Sequence, residues 1–344
     1  MKLTVNFLLI ILLMVTSVCT AQIKIKAVGD VMPGSLTPVK IIPPDSGKIF
    51  VRSIKNYLSG ADVCFGNFEG TLISGWEKPS KCTEKDTARC YEFGIPVYLL
   101  TAVKQLGFNV MNLNNNHSAD YGPNVYKLTQ KYLNDNGIKT AGRAGYAEIT
   151  INNKRIAVIG FGNGVAENQL QNINSAAAKI RNLKSKYDYV FVSFHGGTEG
   201  VSAVNMPDEI AAYHDGSSFS IIKFAHSVID AGADLVLGHG PHVLRAMELY
   251  KGKLIAYSLG NFLTYGNFSL KGYCGIGGIL EAELDKNGNF VKGQFIPTVQ
   301  QGRGVPVYDN FCTSIKLMKR LLKSYQPGGK LFMDDSGYLS IKTK

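Results

Sequence analysis

The chain has no Cys-x-x-Cys pair, no block of consecutive lysines and arginines, no internal repeat and no low-complexity linker. The first absence argues against dithiol redox catalysis and a thiolate zinc site. The second, with no interleaving of aromatic and basic residues, argues against a nucleic-acid partner. Charge is sparse: 18% of residues are charged and 45% are hydrophobic, which is too apolar for disorder. With 344 residues a large core can be buried, in one large α/β domain or in two. No comfortable transmembrane run is present either, because the unbroken apolar stretch Phe7 to Val15 is short.

What the sequence does hold is an excess of positive charge. Lys+Arg minus Asp+Glu is 37 − 26 = +11, which favours an acidic partner: nucleic acid, anionic lipid or a polyanionic polymer. Lys2, the Phe7–Val15 run and Thr20-Ala21 read as a secretory signal peptide over residues 1–21, cut after Ala21. Removing Lys2 leaves the mature chain near +10. The expected location is secreted or periplasmic; an uncleaved membrane anchor and lipidation at Cys19 are the alternatives, although Ser17-Val18 fit a lipobox poorly. Export permits disulfides. Cys82 and Cys90 share a polar segment without apolar period, which suggests a loop-stapling bridge; Cys274 and Cys312 are candidates for a second. Cys64, inside a strand-like run, reads as a buried free thiol.

Short Val/Ile-rich runs alternate with helical patterns, the signature of βαβ units. Strands are expected at Ile23–Val28, Asp62–Phe65, Asn109–Leu113, Arg155–Gly160, Tyr189–Phe194, Asp234–Gly238 and Leu254–Ser258. A helix opens at Pro123 and closes at Gly137, with Val125, Leu128 and Tyr132 on one face. A second runs from about Ser218 to Asp230. Gly275–Leu284 and Phe290–Pro297 read as a hairpin, and the tail as one helix, Ile315–Leu322, with little else. The expected organisation is a leader over 1–21, a main domain over 22–300, and an extension over 301–344 packed on it.

Polar residues fall at the ends of these strands. Asp30 follows the first, Asn67 and Glu69 the second, and Asn115, Asn116 and His117 the third; His195 follows Tyr189–Phe194, and His239 and His242 follow Asp234–Gly238. In open α/β sheets the carboxyl ends of strands line the ligand crevice. Carboxylates, amides and imidazoles are the donors that suit zinc, manganese, iron or magnesium. His226, within an amphipathic helix, and His214, in a polar stretch, read as structural.

The segments Ala27-Val28-Gly29-Asp30-Val31-Met32, Cys64-Phe65-Gly66-Asn67-Phe68-Glu69-Gly70, Leu113 to Gly122, Val192 to Glu199 and Gly232 to Phe262 occur in order from about Lys24 to Phe262. In them the chain resembles the CapA family, associated with poly-γ-glutamate capsule synthesis and related to the calcineurin-like metallophosphoesterases. The resemblance implies an α/β fold, a metallophosphatase-like α/β/β/α sandwich of two mixed sheets flanked by helices. It implies a divalent cofactor, one or two ions of zinc, manganese or iron, held by Asp30, Asn67, Glu69, Asn116, His195, His239 and His242. His117, with Asn116, would face the leaving group while a metal-activated water attacks in line. The chain departs from the superfamily pattern in several places. Met32 stands where a histidine is usual, Asn67 where the bridging aspartate is usual, with Glu69 as its substitute, and His239 and His242 are more widely spaced. Gly94-Ile95-Pro96 replaces an expected Arg-containing segment, leaving Arg143, Arg245 and Arg303 as candidates for substrate contact.

Two functions follow. One is a secreted metal-dependent hydrolase of capsule or envelope polymer biosynthesis, acting on a phosphoester or an amide-linked acidic polymer, in an envelope biosynthesis complex. The other is a non-catalytic polyanion-binding assembly or anchoring factor. Retained imidazoles at several strand ends favour the first, because polymer binding alone has little use for them.

Overall fold

The computed structural model describes residues 22–82, 90–163, 166–206, 211–212, 218–325 and 330–342. The expected leader, Cys19 and His214 lie outside the described residues. Among the described residues no helix is long and apolar enough to cross a membrane.

The strand Ile23–Met32 shows how the sequence sets the layering. Ile23, Ile25 and Ala27 alternate onto one face and are buried between two sheets, whereas Val28, Val31 and Met32 join a second core on the far side. The register with strand Val63–Phe68 shifts between Ala27 and Asp30, an irregularity of the kind that re-aims a side chain. The larger, ten-stranded sheet has Ile23–Met32 at its centre. On one side lie Val63–Phe68, Val110–Asn112 and Lys139–Ala141, all parallel. On the other lies the antiparallel hairpin Ile276–Leu284 and Phe290–Gln301. The smaller, six-stranded sheet holds Lys154–Gly162, Tyr189–His195, Leu235–His239 and Lys253–Ala256 in parallel, with Ala147–Ile151 and Met247–Tyr250 antiparallel at its edges.

Three cores define four layers. Ile25, Phe65 and Val110 of the larger sheet meet Val158, Phe191 and Leu237 of the smaller. Helix Lys48–Leu58 covers the outer face of the larger sheet through Phe50, Ile54 and Leu58. Helices Ile173–Lys184 and Ile221–Asp230 cover that of the smaller through Ile180, Phe224 and Val228. The fold is therefore the mixed α/β/β/α sandwich. Phe65 sits fully in the inter-sheet core, so Phe65→Ala is expected to lose about 3–5 kcal/mol, read as a lower urea midpoint with unchanged slope.

Several local expectations need correction. The helix spans Gly122–Asp135, and its buried residues are Thr129 and Leu133, while Leu128 is exposed. The face is turned by one position because the Thr129 hydroxyl accepts from Leu72 N at 2.9 Å, docking the helix on strand Thr71–Ile73. The helix expected from Ser218 begins at Ile221, since Ser220 caps it by accepting from Lys223 N. Cys82 and Cys90 form a disulfide, but Cys274 and Cys312 are free. Both line the inter-sheet core as small apolar side chains. The tail holds more than a helix. Val305–Tyr308 and Tyr338–Ile341 both pair with Phe290–Gln301, Leu331–Met333 adds the edge, and helix Thr313–Ser324 packs Ile315, Met318 and Leu322 into the inter-sheet core.

Candidate metal centre

Strand register brings the polar residues into one row. In the larger sheet Asp30 lies opposite Asn67 on one side and Asn261 on the other, and Asn67 lies opposite Asn112. In the smaller sheet His195 lies opposite His239. Gly29 permits the close approach of the Asn261 strand: a Cβ there would sit 1.8 Å from Gly260 O, whereas Asp30 N now donates to that oxygen at 2.9 Å. His242 enters from the turn after Leu235–His239, where it adopts φ 59°, a left-handed conformation uncommon for a residue with a side chain.

One ligand atom from each of Asp30, Glu69 and His195 lies within 4.8 Å of the others, and all three residues are buried. His242 Nδ1 is 2.9 Å from Asp30 Oδ2, and its Nε2 is 3.9 Å from Glu69 Oε1. Asn67 sits between these groups as a donor. Its Nδ2 reaches Asp30 Oδ1 at 2.8 Å and Glu69 Oε2 at 3.4 Å, while its oxygen accepts from Asn112 and Asn115 at 2.8 and 3.0 Å. Glu69 Oε1 is buried with no hydrogen-bond partner among the described residues.

Burial opposes ionisation of Asp30, but the hydrogen bond and charge of His242, with the His239 and His195 rings nearby, outweigh it and hold the carboxyl at about 2. Burial, reinforced by the Asp30 charge, pushes Glu69 well above the usual carboxylate range. Burial also drives His195 down to about 3 and lowers His239. For His242 burial is overcome by Glu69 and Asp30, which raise it to about 10. Two crowded carboxylates, one with an orphaned oxygen, and neighbouring imidazoles form a donor set that a divalent cation fits: it replaces the protons and offsets the repulsion.

His117 flanks this cluster. Its Nδ1 is 2.8 Å from Asp120 Oδ2, and Nε2 has no partner among the described residues. Its ring lies 4.3 Å from that of Phe93; Phe93 is 4.9 Å from Phe268, which meets His242 edge-on at 5.1 Å. The two phenyl rings thus wall the space between the imidazoles.

The remaining expected site residues are placed differently. Asn116 is exposed, and the inward amide is Asn115, which donates to Asn67 Oδ1 and Phe68 O. His239 is turned from the carboxylates, with Nε2 3.1 Å from Val28 O and Nδ1 3.5 Å from Ser193 Oγ. Arg245 is buried and donates to Ala203 O and Thr198 O, bracing the loop after His195. Arg143 is half-buried beyond strand Lys139–Ala141, and Arg303 is exposed in the turn Gly302–Gly304. Reading the sequence missed Asn112, Asn261, Asp120 and Lys81. Asp120 follows His117 at the i,i+3 spacing of a side-chain pair, and Asn261 follows Gly260 at a strand start; both patterns were available. His226 is distant in role: its Nε2 lies 3.0 Å from the buried Glu248, which also accepts from Tyr257 Oη at 2.5 Å. His226→Ala is expected to cost about 1–3 kcal/mol by leaving Glu248 under-satisfied, with metal content unchanged by elemental analysis.

The family model described as bacterial capsule synthesis protein PGA_cap matches residues 24–265. Among curated proteins, the capsule biosynthesis protein CapA of Bacillus anthracis is 29% identical over 258 residues, covering 69% of this chain and 58% of that protein. The PGA biosynthesis protein CapA of Bacillus subtilis (strain 168) is 28% identical over 261 residues, covering 69% of this chain and 62% of that one. The chain thus spans about three fifths of the length of these relatives. Among solved structures, a 5'-nucleotidase precursor from Thermus thermophilus aligns with a TM-score of 0.44 at 14% identity, over 88% of this chain and 58% of that one.

Proposed function

The chain belongs to the PGA_cap family of bacterial capsule synthesis proteins, and on that premise we propose that it is an exported, metal-dependent hydrolase acting on an acidic envelope polymer of the poly-γ-glutamate type or on a phosphoester. The observation that carries this reading is the convergence of Asp30, Glu69, His195 and His242 around an orphaned carboxylate oxygen. These four residues would hold the cation. When bound, it supplies a water acidic enough to be a nucleophile near neutral pH and positive charge for the oxygens of the reacting group.

The chain's own residues do the rest. Asn67 donates to both carboxylates and fixes their faces, while Asn112 and Asn115 lock its amide. Asp120 holds His117 by Nδ1, leaving Nε2 to carry a proton to the departing group. Phe93 and Phe268 line the space between with apolar rings. The mature chain's net charge, near +10 once Lys2 is removed, draws an acidic substrate towards the protein. The leader-like pattern of the first 21 residues supports export.

The test is elemental analysis of the chain from Gln22 onward, purified without chelators or a metal-binding tag. Hydrolysis of bis(p-nitrophenyl) phosphate and of poly-γ-glutamate is then assayed. Zinc, manganese or iron at one or two equivalents, with turnover of either probe, supports the proposal. Folded protein that takes up none of these metals overturns it. Retention of poly-γ-glutamate by that metal-free protein would establish a polymer-binding factor in its place.

A further inference from the structure

We propose that Lys81, carried beside the Cys82–Cys90 bridge, is a positioning residue for His117: ammonium and imidazole grip opposite oxygens of the buried Asp120 carboxylate, so that the oxidised loop sets the orientation of the imidazole. This rests on the reading of His117 as a group of the hydrolytic site.

Asp120 is fully buried. Its Oδ2 accepts from Phe93 N at 2.8 Å and faces His117 Nδ1 at 2.8 Å. Its Oδ1 has no hydrogen bond among the described residues; the Lys81 ammonium meets it at 3.0 Å as an ion pair. Without that ammonium a buried anionic oxygen stands uncompensated, and the carboxylate must turn or admit water. Either response loosens its hold on the imidazole. Lys81 is exposed at the surface, but its ammonium and backbone are tied down from several sides. Its Nζ donates to Asn116 O at 3.0 Å, and Lys81 N and Cys82 N both donate to Glu92 Oε1, at 2.6 and 2.9 Å. Ser80 N also donates to Asp120 O at 2.9 Å.

The disulfide joins the two sides of this clamp. Cys82 follows Lys81, and Cys90 precedes Glu92 by two residues, so the bridge covalently fixes the lysine's segment to the segment that supplies its acceptor. Both cysteines are half-buried, within reach of a reductant. Reduction by a phosphine breaks the S–S bond: the phosphine gives two electrons and becomes its oxide with oxygen from water, and the sulfurs take up two protons as thiols. The clamp then depends on hydrogen bonds alone, those of Lys81 and Cys82 to Glu92 and those of Ser80 and Lys81 to Asp120 and Asn116, and the hold of Lys81 on the Asp120 carboxylate loosens.

The experiment observes His117 directly in metal-free protein labelled with nitrogen-15 at histidine. The Nδ1–H proton shared with Asp120 is expected as a downfield resonance protected from water, assigned by its loss in His117→Asn. Lys81→Met is expected to abolish it by exchange, Lys81→Arg to retain it, and the oxidised wild type to lose it on treatment with tris(2-carboxyethyl)phosphine. The double variant Cys82→Ser/Cys90→Ser is expected to match the reduced protein. Circular dichroism melts exclude unfolding as the cause. A resonance absent from the wild type, or one that persists in Lys81→Met, overturns the role of Lys81. Loss in Lys81→Met with persistence on reduction overturns the role of the bridge. Because neither metal nor substrate is present, a failure of the proposed hydrolysis leaves this readout intact, and the two failures are told apart.

Discussion

Glu69→Gln is expected to give a protein that is more stable than the wild type when metal-free and that no longer takes up its cation. The carboxyl is buried, lies beside Asp30, and ionises only well above the usual carboxylate range. A group raised in the folded state contributes stability that is fully present below its unfolded value and is lost as pH rises towards the folded value. Over that interval the wild type loses about 1.4 kcal/mol per pH unit, a cost the neutral amide does not bear. The advantage of the variant therefore grows as pH rises above the ordinary carboxylate range. With metal the order reverses, because the amide offers no charge to the cation and its binding weakens by at least about 100-fold. Thermal melts at pH 5 and 8, with chelator and with added zinc, check both halves. A variant less stable than the wild type at pH 8 in chelator, or one stabilised by zinc as strongly as the wild type, would refute the assignment.

His117→Ala separates chemistry from metal binding. The imidazole is bonded to Asp120 and walled by Phe93, and its nitrogens lie outside the carboxylate cluster. Cleavage of poly-γ-glutamate, whose departing amide nitrogen needs a proton, is expected to fall by about 10²–10⁴, the range for a lost general acid. Elemental analysis should show an unchanged metal content. A variant that loses metal together with activity would move His117 into the ligand set; one that keeps full turnover would remove it from the reaction.

The strands and the buried polar cluster were legible for the same reason. Val/Ile-rich runs ending in Asp30, Asn67, Glu69 and His195 carry both the period of a strand and an abrupt change of polarity. Which neighbour turns inward was not legible. Asn115 and Asn116 are identical in chemistry, and the tight turn from Asn115 to Asp120 decides between them. The helix face was misjudged by one position because a hydroxyl, Thr129, is what docks it. Lys81 was invisible: its role depends on Asp120, 39 positions away, and on a bridge that leaves no periodic mark. Arg245 looked like an anion contact because a sequence shows the charge of a guanidinium and hides its burial against carbonyl oxygens.

The row that runs from Asn261 through Asp30 to Asn67 also has a kinetic meaning. Asp30 touches Asn261 across most of the chain, and His242 Nδ1 reaches Asp30 over 212 positions. Contacts of that range form late, since loop closure must precede any gain from them. A partly folded chain can hold Asp30, Asn67 and Glu69 together on the larger sheet while the imidazoles of the smaller sheet are still absent. On the proposed function, cation capture is then reserved for molecules whose two sheets have already docked, and metal content would be a count of fully folded protein.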